Sequence, residues 1–192
     1  HPGPFHASAL KGPDGKGFMI CGRSGIGKST ITAYLIKQGY DLLSDDISVV
    51  QAEEGQVQVY PSYPFLKLWK DVMDHVDFSA DEGNRLREPL EKYGYRLEKA
   101  FHADSITLNN VFILSVHNKD EYKAEELRGI EKFDALKNQT FRFQFVTEKN
   151  RSGHFNLVNQ LAQSARVNHI TRPQSPIDTE RLHQIILNVL KG

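Results

Sequence analysis

Eight residues constrain this chain more than any others: Gly22-Arg23-Ser24-Gly25-Ile26-Gly27-Lys28-Ser29, which satisfy G-x-x-x-x-G-K-[ST]. The pattern carries meaning only between a strand and a helix, and both neighbours are present. Gly17-Phe18-Met19-Ile20-Cys21 is a short apolar run of the kind found in a buried parallel strand. Over residues 29–38, Ile31, Leu35 and Gln38 recur on one side, and Gly39 stands where a left-handed helix terminus belongs. A loop of this composition lets backbone N–H groups of residues 24–28 converge on phosphate oxygens. Lys28 then reaches the outer phosphates and the Ser29 hydroxyl faces Mg²⁺, beside the positive end of the following helix. Ser24, Gly25, Ile26, Gly27, Lys28, Ser29 and Thr30 are therefore the expected nucleotide contacts.

Composition sets limits on the partners. The 192 residues carry 24 Lys+Arg against 24 Asp+Glu and are 39% hydrophobic, which describes a single domain spanning 1–192. Zero formal net charge removes the general electrostatic case for a nucleic-acid or membrane-surface protein, so an anion site has to be local. No apolar run approaches the ~20 residues of a bilayer span, and no signal peptide is evident. The single cysteine, Cys21, forms no internal disulfide, which suits a reducing compartment and makes the cytoplasm the expected location.

Further along, 40–43 reads as a second strand entering Ser44-Asp45-Asp46, which completes a β-α-β unit. Residues 47–51 and 56–60 alternate around Ala52-Glu53-Glu54-Gly55 as an antiparallel hairpin. Leu66, Trp69, Val72 and Met73 have helical spacing; 79–104 is highly charged and poorly periodic and is expected to be a mobile lid or insertion. Strand signals resume at 111–116 and 140–146, with a short helix carrying Ile130, Phe133 and Leu136 between them. A helix at 152–165, a strand at 167–171 and an amphipathic helix at 179–190 close the chain. The expected fold is α/β, a P-loop core with a mixed, partly parallel sheet and flanking helices.

Asp45 and Asp46 fall at the C-terminal end of the second strand, the edge at which open α/β sheets bind ligands. Next to polyphosphate, one carboxylate can hold Mg²⁺ or its water while the other accepts the proton of an attacking hydroxyl. His6 lies 16 residues before Gly22, where a hairpin through Gly12-Pro13-Asp14-Gly15 returns it to the same edge. No Ser/His/Asp triad and no metal-ligand histidine spacing is readable.

His6, the Gly22 to Ser29 run and Gly39-Tyr40-Asp41-Leu42-Leu43-Ser44-Asp45-Asp46 together resemble the catalytic core of bacterial HPr kinase/phosphorylase over about 45 residues. Thr30 stands where that family usually carries glutamate. The resemblance implies an ATP- and Mg²⁺-dependent serine kinase in which His6 and Asp45 assist proton transfer, Lys28 and Ser29 serve ATP and metal, and Asp46 is the neighbouring carboxylate and metal ligand. It also implies a protein or peptide substrate and a homo-oligomer. Tyr60-Pro61-Ser62-Tyr63-Pro64, Glu91-Lys92-Tyr93, the 128–136 stretch and Ile170-Thr171-Arg172-Pro173 are similar to the short HPr-kinase-like proteins of lasso-peptide biosynthesis, which implies the C-terminal serine of a precursor peptide as acceptor. Lys92, Arg96, Lys99 and Arg128 are candidate anion clamps, and Trp69, Tyr63 and Phe65 candidate stacking residues. A small-molecule kinase on the same core and a nucleotide-binding regulatory module remain alternatives.

Overall fold

The computed structural model describes residues 2–76, 78, 84–85, 92–141 and 148–192. In chain order the elements are β1 (Pro2–Phe5), β2 (Ala7–Lys11), β3 (Gly17–Cys21), α1 (Lys28–Lys37), β4 (Asp41–Ser44), β5 (Ser48–Glu53), β6 (Gln56–Tyr60), β7 (Phe65–Trp69), α2 (Lys70–Val76), β8 (Asn84–Arg85), β9 (Lys92–Arg96), β10 (Ile106–His117), β11 (Lys123–Glu126), α3 (Gly129–Lys137), α4 (Glu148–Ser164), β12 (Arg166–Pro173) and α5 (Thr179–Lys191). A nine-stranded mixed sheet runs β1-β5-β6-β10-β3-β2-β4, with β12 beside β10 and β11 beside β12. β10 is long enough to serve two partners along one edge: Ile106 and Thr107 pair with β6, and Asn110 to His117 pair with β12.

Alternation along the strands sorts side chains into two cores, one on each face of the sheet. On β3, Phe18 and Ile20 join Leu10, Leu42, Phe112, Leu114 and Ile170 beneath α1 and α5. Met19 and Cys21 of the same strand join Phe5, Val111, Ile113 and Val167 beneath Leu157, Val158 and Leu161 of α4. The near-continuous apolar run of β3 follows from this two-sided burial, since all five of its residues are buried. The α5 stripe of Leu182, Ile186 and Leu190 is buried against the first core.

Two expectations need correction. β3, α1 and β4 do form a β-α-β unit, but the two strands are not neighbours: β2 lies between them and pairs antiparallel with both. Phe65 to Trp69 is a strand rather than the start of a helix. Its alternation buries Leu66 and Leu68, and it pairs with β9 in a separate three-stranded sheet, β7-β9-β8. The short helix expected with Ile130, Phe133 and Leu136 is α3, in which Leu136 is buried, Phe133 partly buried and Ile130 71% exposed.

The strand expected at 140–146 lies outside the described residues beyond Phe141. Thr140 bridges to Phe5, and the Phe141 N–H donates to the Pro4 carbonyl. Of the expected lid, 79–83 and 86–91 also lie outside the described residues. Its later part contains β9, and the chain after β9 is tied to β4 by two backbone bonds, Leu42 N–H to the Ala100 carbonyl and His102 N–H to the Leu42 carbonyl.

Candidate active site

The loop between β3 and α1 opens onto a cavity of about 400 Å³. Two glycines in it have conformational reasons. Gly22 adopts φ 145°, and a Cβ there would stand 2.9 Å from the Leu114 carbonyl oxygen of the adjacent strand. Gly27 caps α1 at φ 103°, and a Cβ there would stand 2.7 Å from the Ile177 side chain. No side chain caps this end of α1. The first-turn N–H groups, which have no acceptor within their own helix, therefore meet a cavity lined by Lys28, Ser29 and Thr30. Ser24, Gly25 and Gly27 also line it, whereas Ile26 does not.

Lys28 is 7% exposed, and its ammonium donates to the carbonyls of Gly22 (2.7 Å) and Arg23 (3.1 Å). Burial lowers its pKa, an effect opposed by the nearby Cys21, Asp46 and Asp45. Among the described residues it forms no ion pair: its hydrogen bonds go to carbonyls, and the two aspartates act on it without direct contact. An arriving anion would supply the missing counter-charge.

The tandem carboxylates occupy different environments. Asp46, in the left-handed region at φ 66°, lines the cavity and is paired with the Lys67 ammonium at 3.1 Å. Asp45 is not on the cavity wall. One of its oxygens accepts from the Ser8 hydroxyl at 2.9 Å and the other from the Lys67 backbone N–H at 3.2 Å. Burial, with the adjacent Asp46 charge, pushes the Asp45 pKa up. Each carboxylate oxygen keeps a second lone pair, so a further donor can still be accepted.

His6 reaches the cavity from the junction of β1 and β2, with its backbone N–H bonded to the Gln139 carbonyl. Burial and then the Lys28 charge lower its pKa, which favours the neutral imidazole. The hairpin that returns it is closed by the Gly12 N–H to Lys16 carbonyl bond, with Ala7 opposite Cys21. The opposite wall comes from the small sheet and α2, through Trp69, Asp71, Val72 and Lys92, with the Lys92 ammonium 5.4 Å from the Trp69 ring centre.

Of the other expected cations, Arg96 is paired with Glu98 in solvent, Lys99 is exposed, and Arg128 lies in a separate cleft with Gly129 and Lys132 of α3. Tyr63 is 74% exposed and Phe65 half-buried; of the three aromatics only Trp69 lines the cavity. Ser8, Lys67, Arg172 and the 175–177 stretch were not foreseen. Ser8 and Lys67 reach Asp45 and Asp46 across 21 to 37 positions of sequence, a distance that no local pattern encodes.

A second polar group appears on the far side of the sheet, where Ser115 Oγ is 2.7 Å from His169 Nε2. Glu125 stands 3.9 Å from His169 Nδ1, beyond hydrogen-bond reach, and is held by Lys123 at 2.7 Å. Ser115 also donates to Thr171, its partner in the β10–β12 ladder. These contacts are those of a cross-strand polar ladder, and they do not orient the histidine as a nucleophile's base requires.

No family model matches the chain, and no curated protein matches it. Among solved structures it is similar to the Hpr(Ser) kinase/phosphatase from Coxiella burnetii, at 18% identity and a TM-score of 0.48, covering 98% of this chain and 99% of that one.

Proposed function

We propose that the chain is an ATP- and Mg²⁺-dependent kinase that transfers the γ-phosphoryl group to a serine hydroxyl of a protein or peptide. One observation carries the reading: a single cavity gathers an uncapped helix start, a buried lysine hydrogen-bonded to carbonyls, a neutral-leaning histidine and one of two adjacent carboxylates, the second being buried off the cavity wall.

The division of labour follows from the environments. The loop amides at the cavity wall, those of Ser24, Gly25, Gly27 and Lys28, and the Lys28 ammonium bind and orient the polyphosphate, while the Ile26 N–H closes the loop on the Arg23 carbonyl. A divalent metal fits as a hard cation on the Ser29 hydroxyl and the Asp46 carboxylate, both on the cavity wall; among the described residues no cluster of three His, Cys, Asp or Glu offers a cage. When bound, Mg²⁺ neutralises charge on the transferring group. Asp45, whose affinity for protons is raised and whose carboxylate Ser8 and the Lys67 N–H hold in place, is the assigned base; because it stands off the cavity wall, the acceptor serine has to reach past Asp46 to deliver its proton. His6, on the cavity wall with Asp46, is assigned to shape that proton transfer.

The acceptor is tested by supplying labelled ATP with three substrates in parallel: a peptide ending in serine, HPr, and a panel of hydroxylated metabolites. Label in a serine supports the proposal, and the peptide arm tests the lasso-precursor resemblance. Label only in a metabolite, or tight ATP binding without transfer, overturns it. Wild-type transfer by Asp45→Asn would remove the base assignment. The expected lid over 79–104 would show as slower amide exchange when nucleotide and peptide are both present.

A further inference from the structure

Arg172, at the end of β12, is 5% exposed and uses four of its five N–H groups on backbone carbonyls. Nε and Nη2 both donate to the Ile26 carbonyl, at 3.2 and 2.7 Å; Nη1 donates to the carbonyls of Pro173 at 2.6 Å and Gln174 at 3.1 Å. Among the described residues it forms no ion pair, yet it lines the cavity that Lys28 lines. Burying a guanidinium without a carboxylate is unfavourable unless its donors are satisfied or an anion approaches it.

We infer that Arg172 is a positioning residue that sets the Ile26–Gly27 peptide so that its N–H side faces a bound phosphate. The inference rests on the kinase reading and adds to it the device that aligns the loop. The argument is one of peptide geometry. This peptide is trans, so the Ile26 C=O and the Gly27 N–H point in opposite directions. Holding the carbonyl outward with two donors fixes the direction of the amide, and converging amides are what a loop of this kind offers an anion. Gly27 at φ 103° secures the same turn, with Ile177 and the Arg172 guanidinium both against the space that a Cβ would fill. A lysine in place of Arg172 would keep the charge and lose the planar two-pronged grip.

The test uses the full chain and two probes, inorganic triphosphate with Mg²⁺ and ATP in the transfer assay. Arg172→Lys is the variant that preserves the stem and charge, and Arg172→Met removes both. Triphosphate affinity is expected to fall at least tenfold in Arg172→Met and by an intermediate factor in Arg172→Lys. In Arg172→Lys the ATP KM is expected to rise about tenfold with kcat changed less than threefold, a split that general loosening of the fold would not produce. Triphosphate binding and KM within twofold of wild type in Arg172→Lys overturn the inference and leave the kinase reading intact. Tight triphosphate binding that depends on Arg172, without transfer to any acceptor, supports the inference and removes the kinase reading. No triphosphate binding by the wild-type chain removes both.

Discussion

Asp45 shows how one residue links stability to chemistry. Its folded pKa lies above the ordinary 3.8, so its stabilising effect is fully present below that value and is lost as pH rises through the raised one. At neutral pH the desolvated charge therefore works against folding. An amide can keep both bonds, accepting from the Lys67 N–H and donating to Ser8, so Asp45→Asn is expected to melt higher than wild type near pH 7 and to lose that advantage by about pH 4. The same variant is expected to retain ATP binding and lose transfer by 10² or more, the scale of general-base catalysis. Thermal melts across pH and a labelled-ATP assay check the two halves; lower stability at every pH would contradict the first. His6 carries the opposite sign: its pKa lies below 6.5, so its contribution is present above 6.5 and is lost as pH falls through the lowered value. His6→Gln should flatten the acid side of the stability curve. Lys28, Asp45 and Asp46 were singled out by motif and spacing, and His6 by the family resemblance; the structure brings His6, Lys28 and Asp46 to one cavity. That Asp46 faces the cavity while Asp45 is held behind it was not readable, because adjacent identical side chains differ only in partners brought by distant segments.

At the scale of elements, β7 is the informative case. Leu66, Trp69, Val72 and Met73 fit a helical period, but Phe65-Leu66-Lys67-Leu68-Trp69 also alternates, and pairing with β9 decides in favour of the strand. That outcome puts the Lys67 backbone N–H on Asp45 and its ammonium on Asp46. The Lys67–Asp46 pair is about 40% exposed on both sides, so it should contribute no more than about 1 kcal/mol to stability. Lys67→Ala is thus expected to shift unfolding little and to change the Mg²⁺ concentration needed for half-maximal transfer, measured by metal titration; an unchanged titration would separate Lys67 from the site. Leu68→Ala, by contrast, truncates a fully buried residue and should cost about 2–5 kcal/mol by denaturant unfolding. In α1 the element and its loop were legible together, since glycine positions, apolar period and terminal Gly39 all agree.

For the whole molecule, the cavity lies where the large sheet's loop edge meets the small sheet. β3 and α1 supply the glycine-rich loop and Lys28, β4 leads into the carboxylates, β12 brings Arg172, and β7, α2 and β9 supply Trp69, Val72 and Lys92. Gly27→Ala tests this convergence. It forces a Cβ onto a left-handed φ and into Ile177, for an expected cost of about 1–3 kcal/mol, and should weaken ATP binding more than Gly25→Ala, which also takes a left-handed φ (80°) but whose Cβ meets open space. Comparison of the two variants by calorimetry checks it. The amino-acid sequence by itself determined the glycine-rich loop, its strand and helix, the acidic pair and the α/β class, because each depends on residues within a few positions of one another. Only the tertiary structure decided that β2 separates β3 from β4, that Phe65 to Trp69 is a strand, and that Ser8, Lys67 and Arg172 complete the site. Those features depend on pairing and burial between segments up to 146 positions apart, where competing local preferences are settled by which arrangement buries both cores and satisfies every backbone group.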